Sequence, residues 1–233
     1  MNIKKKININ KRLAIIPAKI FSRRIAGKNF KTFYGKPIIY YTLSNLIKTN
    51  LFDKIHISTD YKNIRKIIKG LNVDIDFFRK KSLCKGNVGL HEVTKWTIEK
   101  YKKLNLDFDT ICLAYPTCPL LDYKDYINAC KFFEKKNKYP LISVGKYRPS
   151  IDEALIQKSK FIKPHNKKKF FQDSKKHKEY FFDSASFVFY SKKTIKFKSN
   201  KFIPYILPFE KTLDINTIDD WNIAKKLYKI KNV

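Results

Sequence analysis

What this chain lacks excludes several classes at once. Its four cysteines, Cys84, Cys112, Cys118 and Cys130, contain no C-x-x-C pair, and its four histidines are scattered. Neither a disulfide framework nor a zinc centre follows from such spacing. No stretch approaches the ~18 consecutive apolar residues that a membrane span needs. The first twelve residues, MNIKKKININKR, have no apolar core and no small-residue cleavage site, so they read as a flexible basic tail and not as a secretory signal. The cytoplasm is the expected location. Acidic residues are few, 20 against 51 basic ones, and the formal net charge is +31. Arginine is scarcer still: only six of the basic residues are Arg, and the lysines are spread along the whole chain. Proteins that read nucleic-acid sequence rely on Arg at base edges. Specific nucleic-acid recognition is therefore not expected, although polyanions should bind at low salt.

What is present suits one α/β domain over residues 13–233. Hydrophobic residues make up 43% of the 233, aromatic residues 15%. Short apolar runs at 13–16, 54–58, 74–78, 110–115, 141–144, 186–190 and 203–207 read as strands. Between them, Ile39, Leu43 and Leu46, then Val93, Trp96 and Lys100, then Tyr126, Cys130 and Phe133, fall at helical spacing. Thr217 followed by Asp220 forms a capping box before a last helix with Ile218, Trp221, Ala224 and Tyr228 on one face. Strands alternating with helices predict a mostly parallel sheet covered on both faces. Residues 146–180 are polar and hold Pro149, Pro164 and the run Lys167–Lys169. They read as an excursion off the sheet, with the lysine run solvated.

Residues 13–37, LAIIPAKIFSRRIAGKNFKTFYGKP, are the most informative. A buried strand empties into a loop carrying Lys19, Ser22, Arg23, Arg24, Lys28 and Asn29. Two of the six arginines and two of the six glycines are spent here. Ligands of open parallel sheets sit at the carboxyl ends of the strands. Cations, Ser22 and backbone N–H groups in such a loop can surround phosphate oxygens. Ser58-Thr59-Asp60 and Arg79 fall at the ends of the next two expected strands. Asp60 there suits either the site or the cap of the following helix.

The loop resembles the signature of the sugar-activating cytidylyltransferases, I-P-A-R-x-x-S-K-R-I-x-x-K-N followed by G-K-P. Ile16-Pro17-Ala18-Lys19, Ser22-Arg23-Arg24-Ile25, Lys28-Asn29 and Gly35-Lys36-Pro37 match it, with Lys19 and Arg23 exchanging one cation for another. Phe78-Arg79-Lys80 resembles the family's L-R-P, and Tyr115-Pro116-Thr117-Cys118-Pro119-Leu120 its Y-P-T-x-P-L. Phe171-Gln172-Asp173 with Tyr180 and Asp183 is similar to R-x-Q-D-L and Y-H-D of the pseudaminic acid branch, with Phe170 at the Arg position. Thr212 to Trp221 resembles D-I-D-T-x-x-D-W, with Asn216 replacing the second Asp.

The resemblance implies a Rossmann-like fold of the nucleotide-diphospho-sugar transferase type, acting on CTP and an acidic nonulosonic sugar. Lys19, Arg23 and Asp214 are the implied catalytic residues. Ala18, Lys19, Ser22, Arg23, Lys28, Asn29, Asp60 and Arg79 would bind the nucleotide. Tyr115, Thr117, Gln172, Tyr180 and Asp183 would bind the sugar. Asp214 and Asn216 would hold Mg²⁺, and the excursion would make a homodimer. Lys28-Asn29 favours the acylneuraminate branch over 3-deoxy-manno-octulosonate. A degenerate, binding-only member stays open as an alternative, because Phe170 and Asn216 fall at functional positions.

Overall fold

The computed structural model describes residues 10–231 apart from Arg23, Asp74 and Asn137. Six strands form one sheet: β1 (Arg12–Pro17), β2 (Lys54–Ser58), β3 (Thr110–Ala114), β4 (Leu141–Lys146), β5 (Phe181–Ser191) and β6 (Ile203–Ile206). Their order is β6-β4-β5-β3-β1-β2. β1 is parallel to β2 and β3, and β4 to β6, while β5 runs antiparallel between β3 and β4. Five of the six strands therefore point the same way and end on the same edge.

Side chains alternate across a strand, and β1 uses both faces. Ala14 and Ile16 enter a core with α1 (Ile39–Lys48) and α3 (Tyr123–Lys136). Leu13 and Ile15 enter a second core with Ile98 and Tyr101 of α2 (Leu90–Lys103). Burial on both faces is why β1 and β3 read as continuous apolar runs. A third cluster joins Phe33, Ile38 and Ile215 to Trp221 and Ala224 of α4 (Ile218–Lys231). Its hairpin, Thr32–Phe33 with Lys36–Pro37, turns through Tyr34 and Gly35, both at positive φ; a two-residue turn of this kind demands that conformation. The capping box forms as expected. Asp220 N donates to Thr217 Oγ1 (3.1 Å), and Asp220 Oδ2 accepts from the backbone N–H of Thr217 (2.7 Å) and Asn216 (2.8 Å).

Two expectations need correction. Asp74 lies outside the described residues, and 75–78 form no strand. Their side chains cover the edge strand instead: Phe77 packs on His56 and Tyr101, and Asp76 pairs with Lys54 and accepts from Tyr101 Oη. Side-chain packing, not a ladder, accounts for that apolar pattern. The excursion carries an exposed hairpin (Leu155–Lys158 with Phe161–Pro164) and a one-turn helix (Lys167–Phe170), but Lys169 is not solvated like Lys168. Lys169 Nζ donates to buried Asp152 (3.0 Å) and to Tyr180 Oη (3.1 Å), and Tyr180 Oη donates to Asp152 (2.8 Å). Asp152 would be a buried charge without them. Residues 1–9 lie outside the described residues, whereas Asn10 already bonds Thr110 and Glu134 and Arg12 begins β1.

Candidate functional site

A cleft of about 270 Å³ opens where β1, β2 and β3 end. Each wall traces back to a local cause. At the end of β1, Ala18 is fully buried and its N–H donates to Ser58 O (2.9 Å), which prolongs the β1–β2 pairing into the loop. Ala18 thus acts through its backbone. The loop is then braced from two sides. Asn29 Nδ2 donates to Lys19 O (2.9 Å), and Asp60 Oδ1 accepts from Ile20 N (3.0 Å). Asp60 does not border the cleft; it holds the loop that does. Gly27 turns the chain at φ 58° into the short helical turn Lys28–Phe30, a conformation costly for other residues.

Lys19, Ser22, Arg24, Lys28, Asn29 and Arg79 all border the cleft. Arg23 lies outside the described residues. Lys28 Nζ donates to Ile215 O and so ties the loop to the C-terminal segment. Burial pulls its pKa down from the usual lysine range, while the nearby Asp214 carboxylate acts the other way. Arg79 is buried at the end of β2. Its Nε donates to Ser58 Oγ (3.0 Å), an Nη to Ser58 O, and its backbone N–H to Thr59 O (2.7 Å). Burial lowers its pKa too, but a guanidinium stays charged in proteins.

Tyr115 and Thr117 follow β3 and form the opposite wall. Tyr115 is pinned at both backbone groups: its N–H donates to Ser186 O (2.9 Å), and its carbonyl accepts from Thr42 Oγ1 (3.1 Å). Burial, then the charge of Asp183, pushes its phenol well up. It is therefore a neutral hydrogen-bonding group at any physiological pH.

Asp214 and Asn216 also border the cleft. They lie in no strand, yet Ile215 between them is fully buried in the third core cluster. Anchoring the middle residue turns both neighbours outward. Asn216 Nδ2 donates to Asp214 Oδ2 (2.6 Å), while Asn216 Oδ1 is buried without a partner. An unpaired buried carbonyl is costly and marks a place for a cation or a donor. Asp183 stands beside this pair, off the cleft wall. Its Oδ1 accepts from Ala185 N (2.8 Å), and burial and then the Asp214 charge raise its pKa. Among the described residues no three His, Cys, Asp or Glu side chains group as a metal centre. The oxygen donors of Asp214 and Asn216 suit a hard divalent ion that takes its other ligands from water and substrate phosphates, the usual habit of Mg²⁺.

Gln172 and Tyr180 do not border the cleft; both belong to the excursion, where Tyr180 is committed to Asp152 and Lys169. Sequence reasoning did not reach Lys85 or the apolar wall of Leu83, Val88, Leu90 and Val93. These residues carry no motif, and only the path of the chain from Arg79 into α2 brings them to the cleft. Arg24 had a signal, since arginine is rare here, but it was not assigned a role.

Cations at three strand ends facing oxygen donors across one cleft define an α/β protein built for a nucleoside polyphosphate. Comparison with known proteins narrows this. The family described as Cytidylyltransferase matches residues 13–231, and the chain belongs to that family. It is 29% identical over 229 residues to the pseudaminic acid cytidylyltransferase of Campylobacter jejuni subsp. jejuni serotype O:2, covering 95% of this chain and 98% of that protein. It is 24% identical to the CMP-N,N'-diacetyllegionaminic acid synthase of Legionella pneumophila subsp. pneumophila, covering 94% and 96%. A solved CMP:2-keto-3-deoxy-manno-octonic acid synthetase complexed with CTP superposes with a TM-score of 0.69 at 11% identity, over 95% of this chain and all of that one; this likeness shows the fold.

Proposed function

We propose that the protein transfers CMP from CTP to a nonulosonic acid, pseudaminic acid ahead of sialic or legionaminic acid, and releases pyrophosphate. The observation that carries the reading is the meeting, in one cleft, of Lys19, Lys28 and Arg79 with the Asp214–Asn216 oxygen pair. The near-full-length likeness to enzymes of this substrate class supports the choice of sugar.

Each residue then has a task. Lys19, Arg23 and Lys28, with Ser22 and loop N–H groups, neutralise the triphosphate and hold its α-phosphorus in line with the attacking sugar hydroxyl. Positioning and charge stabilisation are most of what phosphoryl transfer asks of a protein. Lys28 and Asn29 also keep the loop closed through Ile215 O and Lys19 O. Arg79 lines the nucleotide side and Asp60 braces the loop. Tyr115 and Thr117, with Asp183 beside them, meet the sugar. Asp214 and Asn216 would hold Mg²⁺, which, when bound, offsets charge developing on the pyrophosphate; members of this family generally use a divalent metal. Gln172 and Tyr180 reach a sugar only if the excursion works across a homodimer. The exposed Phe161, Ile162 and Phe171 on that excursion support such an interface. Cytoplasmic placement fits a CTP-consuming enzyme, and no helix of the described residues is long and apolar enough to cross a membrane.

The test is pyrophosphate release with CTP, ATP and GTP against a panel of acidic sugars, beside thermal melting. CTP at ~100 times its Kd should stabilise the fold by ~2.7 kcal/mol, and ATP and GTP by less. Equal shifts with all three would reduce the cleft to a polyanion surface.

A further inference from the structure

The loop after β1 carries an aromatic ring that the fold does not use. Phe21 is 67% exposed and, among the described residues, joins none of the three cores. A lone exposed phenylalanine on an open surface would need no explanation. Phe21, however, borders the nucleotide cleft. It is also held there. The residue before it is fixed by its backbone, with Ile20 N donating to Asp60 Oδ1 (3.0 Å). Four residues after it, Ile25 is buried in the third cluster. The ring therefore stands on a short braced segment and not on a free loop tip.

Strand order gives the cleft two ends. Asp214 lies towards β3 and β5: its charge acts on Tyr115 and Cys118, which follow β3, on Asp183 of β5 and on Lys28. Arg79 lies at the other end, bonded to Ser58 and Thr59 where β2 stops. Asp60, which holds Ile20, belongs to that second end, and its charge reaches Arg79. From there the wall runs through Leu83 and Val88, and Cys84 next to Leu83 feels both Asp60 and Arg79. Leu83 and Val88 give that end an apolar surface. A nucleoside triphosphate has the same two-part chemistry. Its phosphates and their cation belong with Lys28, Asp214 and Asn216. Its base, a flat ring with apolar faces, belongs at the end where Arg79 and Leu83 stand and towards which Asp60 pulls the loop.

We propose that Phe21 stacks on the base of the bound nucleotide and encloses it against Leu83 and Val88. Resting on the proposed function, this adds a binding residue to the nucleotide site. Stacking tolerates any base, so Phe21 supplies affinity and orientation and not the choice of CTP over ATP.

The experiment compares CTP with inorganic tripolyphosphate, which carries the charge without the base. Dissociation constants for both are measured by calorimetry at physiological ionic strength in the parent protein, Phe21→Ala and Phe21→Tyr, and the sugar KM at saturating CTP in parallel. Phe21→Ala should weaken CTP roughly 5- to 100-fold, the range of a base–aromatic stack, and leave tripolyphosphate unchanged. Phe21→Tyr should keep the parent's CTP affinity. Phe21→Trp puts a reporter at the same place: its emission, read above that of Trp96 and Trp221, should be quenched by CTP and not by tripolyphosphate. The exposed ring adds little to the fold, so all four proteins should melt alike. An unchanged CTP affinity in Phe21→Ala overturns the inference. An equal loss for both ligands overturns it too, since the side chain would then only shape the loop. A rise in the sugar KM alone would turn the ring towards the sugar and overturn it as well. A parent protein that binds no CTP overturns the proposed function first, and this inference with it.

Discussion

Replacing His56 by phenylalanine should flatten the dependence of stability on pH between 7 and 5. His56 lies on β2, fully buried, between Phe77 (ring centres 4.5 Å) and Tyr101 (5.3 Å), and neither ring nitrogen has a partner. Burial is the chief reason its pKa falls to about 4; Asp76 nearby favours the proton, and Arg79 and Lys54 oppose it. In the unfolded chain the imidazole titrates near ~6.5. The folded state therefore keeps it neutral while the unfolded state takes up a proton below ~6.5, so stability is full above that pH and falls as the solution becomes more acid. The loss at pH 5 is ~2 kcal/mol and levels off at ~3.4 kcal/mol below the folded value, at 1.36 kcal/mol per pH unit. The carboxylates and the other three histidines are common to both proteins. His91, whose pKa is also lowered, adds the same slope to each. Urea midpoints at pH 7 and 5 read the effect, provided m is unchanged. The parent should lose ~2 kcal/mol more than His56→Phe. His56→Leu guards against overpacking, since only the slope matters. Parallel slopes for all three proteins would mean that water reaches the ring and that the packing described here is wrong.

Asn216→Asp should lower the Mg²⁺ needed for CMP-sugar formation, because it opposes a second formal charge to the cation, and Asp214→Asn should raise it. Without metal, Asn216→Asp should also melt earlier, since two carboxylates replace the 2.6 Å Asn216–Asp214 hydrogen bond; superimposable Mg²⁺ titrations would remove both residues from the metal. Lys19→Ala should weaken CTP by roughly 10- to 100-fold, one charge-assisted contact, and Lys168→Ala on the exposed face of the excursion should leave it unchanged. Equal losses in a titration calorimeter would make binding a bulk charge effect.

How much of this could be read in advance follows from the range of each signal. Strands β1 and β3 were legible because a strand buried on both faces must be apolar at every position, a property visible within five residues. The last helix was legible because Thr217 and Asp220 satisfy each other three residues apart. The basic loop was legible because rare arginines and glycines gather directly after a strand. The apolar run at 75–78 misled because apolarity reports burial, not pairing: Phe77 packs on His56 and Tyr101, while Ile75 and Phe78 join the core on the other face.

Other features depend on which strands become neighbours. β5 is antiparallel between two parallel strands, which carries its start, Asp183, to the edge where β1 and β3 end. Ile215 packs with Phe33 and Trp221, and that contact across some 180 residues turns Asp214 and Asn216 towards Lys28. Tyr180 resembled a sugar contact by motif but is held by Asp152 and Lys169. Arg148 carried no motif at all, and only the alignment of β4 and β6 sets it at a cavity on the sheet edge. Local chemistry is written in residues a few positions apart, where backbone geometry alone sets the spacing. A site assembled where three strands end is decided by strand order, which the packing of distant apolar faces selects.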